Sequence, residues 1–242
     1  MTALLQVSGL TKRFGGLTAV REAGFTVHAG EVMGLLGPNG SGKTTMMNLI
    51  SGNLKPDAGS VRLAGEDITG RRPHLIARGG IARTFQLVRI IDDMTARENV
   101  IAGLAFRDRP LWGQAASSEA DRLLERVGLG GRGSAEAAEL TYVDQKRLEL
   151  ARALALSPRL LLLDEWLAGL NASELDGGIA LIRSLAKEGV TVLMVEHVMS
   201  AIRQLCGRCV VMNAGAIVAE GETAAVMSDP AVIAAYLGEE DD

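Results

Sequence analysis

Cysteine, net positive charge and long apolar runs are all scarce in this 242-residue chain, and each shortage excludes something. Two cysteines, Cys206 and Cys209, are too few for the disulfide framework of a small secreted scaffold. A formal net charge of −4 argues against a protein that coats nucleic acid, whose phosphates select a basic balance. No run approaches the roughly 20 apolar residues that span a bilayer, and the strongest, Leu160 to Leu163, is closed by Asp164. Met1 to Phe14 reads as a short strand followed by Lys12 and Arg13; it has no long apolar stretch and no small-residue cleavage site, so no secretory leader is expected. There is no internal repeat, and the only biased segment is the acidic run Glu239 to Asp242. If such a chain works at a membrane, another chain must cross it.

What is present is enough apolar material, 48% of residues, to bury a core without disulfides or metals. Strand-like and helix-like segments alternate, which predicts an α/β fold with helices covering a central sheet. Leu4 to Leu10, Phe25 to Val27, Glu31 to Leu36, Val61 to Leu63 and Ile81 to Phe85 read as strands, with a helix from Lys43 to Ile50. From Glu98 to Leu156 the pattern is mostly helical: Ala120, Leu123, Leu124 and Val127 share one face, and a second helix over roughly Gln145 to Ala155 carries Leu148, Ala151 and Ala155. Strands return at Arg159 to Leu163 and Thr191 to Val195, with Leu175, Ile179, Ile182 and Leu185 on the inner face of the helix between them. The expected organisation is one domain: an α/β core built from residues 1–86 and 157–242, interrupted by a helical subdomain over 87–156.

Gly37-Pro38-Asn39-Gly40-Ser41-Gly42-Lys43-Thr44 matches G-x-x-x-x-G-K-[ST], with a strand before it and a helix after it. Glycines let the backbone turn so that successive N–H groups point at phosphate oxygens, and the helix N-terminus adds partial positive charge. Lys43 is placed to reach the β- and γ-phosphates, and the Thr44 hydroxyl to help hold Mg²⁺. Gly37, Asn39, Gly40, Ser41, Gly42, Lys43, Thr44 and Thr45 are therefore the candidate nucleotide-binding set. The motif indicates nucleotide binding without saying which NTPase this is.

Leu160 to Leu163 then run into Asp164 and Glu165. So apolar a strand is expected to end in acids only where water or a cation satisfies them. Asp164 suits Mg²⁺ through its water shell, and Glu165 suits a general base that polarises the attacking water. The plainer reading is a helix N-cap followed by a solvated acid.

With these pieces in order, the chain resembles the ATP-binding cassette family of transport ATPases over nearly its whole length. The resemblance implies a P-loop NTPase (RecA-like) core with a mixed sheet, an antiparallel N-terminal β subdomain and a helical insert. It places Phe14 where an aromatic stacks on adenine, although a plain core phenylalanine remains open. It makes Gln86, after Ala82-Arg83-Thr84-Phe85, the glutamine that senses Mg²⁺ and the γ-phosphate, and His197 the switch histidine beside Glu165. The other two histidines, His28 and His74, sit in turn-like segments. Ala168-Gly169-Leu170-Asn171 occupies the loop that meets a partner cassette.

The signature segment departs from the family. Leu140-Thr141-Tyr142-Val143-Asp144 stands where Leu-Ser-Gly-Gly-Gln is usual, ahead of a well-matched helix Gln145 to Leu154. Thr141 keeps a hydroxyl, but Val143 replaces a glycine and is expected to obstruct approach to the partner's γ-phosphate. Asp144 either adds negative charge there or caps the helix. Trp166 replaces the proline that usually follows the glutamate, an exchange whose effect the sequence does not give. Cys206-Gly207-Arg208-Cys209 is one C-x-x-C pair, half of a zinc site and not at a helix start, so it reads as structural.

Phe14-Gly15-Gly16, Asp67-Ile68-Thr69-Gly70, Gly80 to Gln86, Ala168 to Asn171, Tyr142 and Ala235-Tyr236-Leu237-Gly238-Glu239 are similar to the ATPases of branched-chain amino acid importers. Urea or short-amide importers and the lipopolysaccharide-export ATPase share several of them. The resemblance implies a subunit lying on the cytoplasmic face of the inner membrane, with ATP and Mg²⁺ as cofactors. Its implied partners are integral-membrane permeases, a second cassette (a copy of this chain or, as Val143 favours, a different one) and, indirectly, an external substrate-binding protein, with no nucleic acid. The rivals are a P-loop kinase, a repair or translation cassette, and a regulatory cassette that binds ATP without hydrolysing it.

Overall fold

The computed structural model describes residues 2–237. The chain opens with a long antiparallel hairpin, β1 (Ala3–Phe14) and β2 (Leu17–His28), closed by the two residues Gly15 and Gly16. Both strands run well past the expected Leu4–Leu10 and Phe25–Val27. The ladder shifts register several times, and Gly9, inside the expected Leu4–Leu10, takes a φ of +57° at the shift between Val7 and Leu10. β3 (Val32–Leu36) leads into the phosphate loop and α1 (Lys43–Ile50). β4 (Ala58–Leu63) pairs with β1, and the two-residue β5 (Glu66–Asp67) completes a four-stranded antiparallel sheet.

α2 (Pro73–Arg78) comes next, started by Pro73 in its first turn, so His74 is helical rather than in a turn. β6 (Ile81–Arg83) is shorter than expected, because the chain leaves the sheet after Thr84. The stretch 87–156 holds α3 (Ala96–Phe106), α4 (Gly113–Arg126), a 3₁₀ turn at Ala137–Glu139, and α5 (Tyr142–Ala155). Ala120, Leu123, Leu124 and Val127 are buried along one side of α4 and the residue after it, as their spacing predicts. β7 (Leu160–Asp164), α6 (Ala172–Lys187), β8 (Thr191–Val195), α7 (Met199–Leu205), β9 (Arg208–Asn213), β10 (Ala216–Glu222), α8 (Thr223–Val226) and α9 (Pro230–Leu237) follow. The acidic run Glu239 to Asp242 and the end of the Ala235–Glu239 segment lie outside the described residues.

The second sheet has the order β10-β9-β3-β8-β7-β6, parallel except for β10. Its central strands are apolar on both faces, as a covered parallel sheet demands. Leu161 and Leu163 of β7 join one core with α3 to α6, while Leu160 and Leu162 join another with α1 and the antiparallel sheet. β8 divides likewise, Val192 and Met194 to one side and Leu193 and Val195 to the other. All four β7 leucines are fully buried, worth about 1.5–3 kcal/mol each. This double burial fixes the strand register, and with it where the strand ends emerge. Among the described residues no helix is long and apolar enough to cross a membrane.

Candidate active site

Four adjacent parallel strands, β3, β8, β7 and β6, release their C-terminal ends along one edge of the sheet, where open α/β folds bind ligands. The phosphate loop leaves β3, His197 follows β8, Asp164 and Glu165 end β7, and Gln86 follows β6. Residues spread over 160 positions are thereby gathered by sheet order alone.

The loop folds as its glycines require. Gly37 takes a φ of +142°, and a Cβ there would lie 2.1 Å from the Met212 carbonyl oxygen. Gly42, at φ +105°, would place a Cβ 2.4 Å from the Ala19 carbonyl oxygen. Any side chain at either position would push the loop off its supports. Lys43 is buried, and its Nζ donates to the carbonyl oxygens of Gly37 and Pro38, 2.7 Å from each. The Ser41 Oγ is buried with no hydrogen-bond partner in the protein, as suits a hydroxyl waiting on a phosphate oxygen. Thr44 is exposed at the start of α1.

A cleft of 660 Å³ runs beside the loop, lined by Asn39 to Thr45, Gln86, Glu165, Arg21 and Phe14, among others. Phe14 is 46% exposed on the cleft wall, which rejects the reading of it as a core residue. Its ring has Lys12 Nζ 5.6 Å from the centroid.

Three side chains meet at the far end. Gln86 Nε2 donates to Glu165 Oε2 at 2.8 Å, and His197 Nε2 lies 3.0 Å from Glu165 Oε1. Glu165 itself has a φ of +50°, unusual for a residue with a side chain, and its N–H donates to the Val195 carbonyl. Asp164 is buried beneath, its carboxylate paired with Arg83 at 2.7 Å, and Arg83 also reaches Asn48 and Ser51. Asp164 is therefore a buried, ion-paired acid, and the helix that follows is capped by Asn171, not by Asp164 as the plainer reading had it. Among the described residues no cluster of three or more His, Cys, Asp and Glu could cage a metal. That is compatible with Mg²⁺, which keeps several waters and is held by one or two carboxylates together with substrate phosphates.

Thr141 stands apart from this cleft. It is the N-cap of α5, its Oγ1 accepting from the Asp144 N–H at 3.3 Å, so the helix starts three residues earlier than expected. Asp144 does not supply the cap. Its carboxylate pairs with Arg132 and Arg147, which offset the negative charge expected there. Val143 lines a cavity of 210 Å³ shared with Trp166, Leu170 and Gly178. Asn171 caps α6 in a reciprocal box with Glu174, sufficient reason for an amide at that position. Cys206 and Cys209 are free and buried, and burial pushes the Cys206 thiol up to about 12, consistent with a structural role.

The family model for ABC transporters matches residues 20–168. The chain belongs to the ABC transporter family. A second model, for branched-chain amino acid ATP-binding cassette transporters, matches residues 216–242. The high-affinity branched-chain amino acid transport ATP-binding protein BraF of Pseudomonas aeruginosa is 43% identical, the alignment covering 98% of each chain. Among solved structures, the ADP conformation of MJ1267, an ATP-binding cassette of an ABC transporter, superposes with a TM-score of 0.89 at 30% identity, covering 98% of this chain and all of that one. A dimeric post-hydrolysis state of the cassette MJ0796, bound to ADP and Pi, superposes with a TM-score of 0.82 at 26% identity, covering 90% and 98%. This chain is thus an ATP-binding cassette ATPase, a nucleotide-binding subunit of the ABC transporter family.

The cassette also contains polar residues around the site that no motif singled out. Arg83 belongs to the family-like segment Gly80 to Gln86, with no role of its own assigned. Lys146 and Glu149 sit within the signature helix, each 2% exposed. Glu196, between strand and histidine, accepts from the Leu167 N–H at 2.7 Å. A Thr-x-x-Asp pattern at 141–144 did signal the true start of α5; nothing comparable signals that Lys146 is buried.

Proposed function

We propose that this cassette powers import of branched-chain or similar hydrophobic amino acids, as half of a head-to-tail cassette dimer on the inner face of the plasma membrane. The convergence of Gln86 and His197 on the two oxygens of Glu165, beside a P-loop, carries the catalytic part of this reading. The 43% identity to BraF and the C-terminal match support the substrate class. The dimeric MJ0796 structure supports the assembly.

In this reading the loop N–H groups, Ser41 Oγ and Lys43 cradle the β- and γ-phosphates of ATP, while Phe14 stacks on the base. Thr44, Asp164 and Gln86 would hold Mg²⁺, which when bound neutralises charge building on the transferred phosphoryl group. Glu165 accepts hydrogen-bonded water and orients it toward the γ-phosphate. His197 and Gln86 keep its carboxylate in one orientation, so that little reorganisation is needed when the water is polarised. The helical segment 87–156 would act as a signature subdomain on the α/β core, presenting α5 to the nucleotide of the other cassette. Val143 in the first turn of α5 favours a partner that is a different chain with a glycine there. Permeases would dock near Gln86 and the helical segment, with a substrate-binding protein engaged through them.

Affinity purification from detergent-solubilised membranes tests this reading. Permease chains, a second cassette, and ATPase activity raised by a leucine-loaded binding protein are the expected results. Recovery of the chain without membrane partners would overturn it.

A further inference from the structure

The signature helix grips both backbone segments that carry the hydrolytic side chains. In its second turn, Lys146 is buried and its Nζ donates to the carbonyl oxygens of Glu165 at 3.4 Å, Trp166 at 3.0 Å and Ala168 at 2.6 Å. The Trp166 indole N–H returns the contact, donating to the Lys146 carbonyl at 3.1 Å. Three residues on, and so on the same side of α5, Glu149 accepts from the N–H groups of Phe85 at 3.3 Å and Arg89 at 2.9 Å. Three residues further, Arg152 donates to the Arg89 carbonyl. Lys146 therefore holds the loop that begins at Glu165, and Glu149 with Arg152 holds the loop that carries Gln86.

Each held segment is anchored to the sheet at its other end. Glu165 donates its N–H to Val195, and Thr84 donates its N–H to Leu162. Glu165 lies at the joint, its N–H on the sheet and its C=O on α5, with the unusual φ of +50° between them. The same joint holds the Gln86–Glu165 hydrogen bond. These contacts bury charge at a cost that a merely structural brace of apolar residues would avoid. Burial lowers the Lys146 ammonium and raises the Glu149 carboxyl to about 7.

We propose that Lys146 and Glu149 are positioning residues, through which the placement of α5 sets the geometry of Glu165 and Gln86. Because the same helix presents Thr141 and Val143 at its N-terminus, engagement of that end by a second cassette is relayed to this chain's own hydrolytic carboxylate. The relay acts on turnover, because Lys146 and Glu149 bond the segments at 85–89 and 165–168, and it leaves nucleotide affinity to the phosphate loop. The proposal rests on the reading of Glu165 as the hydrolytic carboxylate.

Its test compares Lys146→Met and Glu149→Leu with the conservative Lys146→Arg and Glu149→Gln, measuring MgATP affinity by a fluorescent analogue and turnover at saturation in the assembled transporter. The expected result is a fall in kcat of about tenfold for Met and Leu, with Kd unchanged within about twofold, and most activity regained in Arg and Gln. A kcat within about twofold of wild type in both disruptive variants overturns the proposal, as does a parallel loss of affinity, which marks general loosening. If Lys146→Met does not fold, Trp166→Phe decides: it keeps the ring but deletes the indole N–H, and a kcat lower by about threefold at constant Kd is expected, whereas unchanged kcat overturns the relay. Should Glu165→Gln itself leave turnover intact, the site reading fails, which is a different outcome from wild-type turnover in the α5 variants alone.

Discussion

Arg83 and Asp164 form a buried ion pair at the C-terminal edge of the central sheet, 2.7 Å apart, with side chains 6% and 5% exposed. Arg83 is held in turn by Asn48 of α1 and Ser51 just after it, so one guanidinium ties β6 to β7 and to the helix of the phosphate loop. The pair gives the buried carboxylate a partner and fixes its orientation at the end of an apolar strand.

Removing the cation alone would leave that carboxylate buried and uncompensated. Arg83→Met is therefore expected to lower the unfolding free energy by about 3 kcal/mol, within the range for breaking a buried pair. Urea denaturation with the slope held constant reads this directly. A loss below about 1 kcal/mol would place the pair in the class of screened surface bridges.

Glu165→Gln keeps the shape and one acceptor oxygen but cannot take a proton. Turnover is expected to fall by about 10²–10⁴, the span for loss of general-base assistance, while MgATP still binds. His197→Ala should lower turnover by removing only one of the two contacts on the carboxylate. Single-turnover hydrolysis with a parallel binding measurement separates the two steps, and unchanged turnover in Glu165→Gln removes Glu165 from the base role.

The difference between what was and was not legible beforehand follows from where each partner lies. β7 was readable because burial on both faces writes an unbroken leucine run, and the P-loop because its chemistry is local to eight residues. The first hairpin was under-read because Gly24 and the pair Gly15-Gly16 look like breaks until the antiparallel pairing of Leu10, Lys12 and Arg13 with Ala23, Val20 and Thr18 is known. Lys146 and Glu149 were hidden for a different reason. Helical periodicity sorts polar residues to a solvated face, yet these two bond backbone groups at 85, 89 and 165–168 that only the fold brings near. Gly178 of α6 belongs with them: a Cβ there would sit 2.6 Å from a Leu167 methyl and 3.3 Å from the Trp166 ring, so the bulky 166–167 pair is accommodated by a glycine on another element.

Two buried carboxyls predict an unusual pH profile. Burial raises both Glu149 and Glu196 to about 7 from an ordinary 4.5, only partly opposed by the backbone N–H groups of Arg89 and Phe85 and then the Arg152 charge at Glu149, and by the Leu167 N–H and then the Lys146 charge at Glu196. Between those values the folded chain keeps protons that the unfolded chain has released. Stability is therefore fully present below about 4.5 for these groups and is lost as pH rises through 7, on the order of 3 kcal/mol each at most. Asp57, Asp67, Glu98 and Glu119 shift the opposite way and act only at lower pH, so a window from pH 5 to 8 isolates the effect. Unfolding free energy should fall across that window and flatten in Glu196→Gln and Glu149→Gln. A profile equally steep in both variants would assign the slope elsewhere.

The first turn of α5 predicts how the isolated chain behaves. Thr141 is spent as a cap acceptor, Asp144 is neutralised by Arg132 and Arg147, and both usual glycines are replaced, by the exposed Tyr142 and by Val143, whose β-branched side chain is expected to obstruct approach to a partner's phosphate. A homodimer would place that obstruction at both sites, whereas a different partner with glycine there would leave this chain's P-loop site competent. The purified chain is thus expected to hydrolyse ATP slowly with a Hill coefficient of about one, since cooperativity cannot exceed what coupled sites provide. Val143→Gly should raise both turnover and cooperativity, with Asp144→Gln adding little because its charge is already paired. Full turnover by the unmodified chain alone, with a Hill coefficient approaching about two, would mean that Val143 does not obstruct and that two copies of this chain suffice.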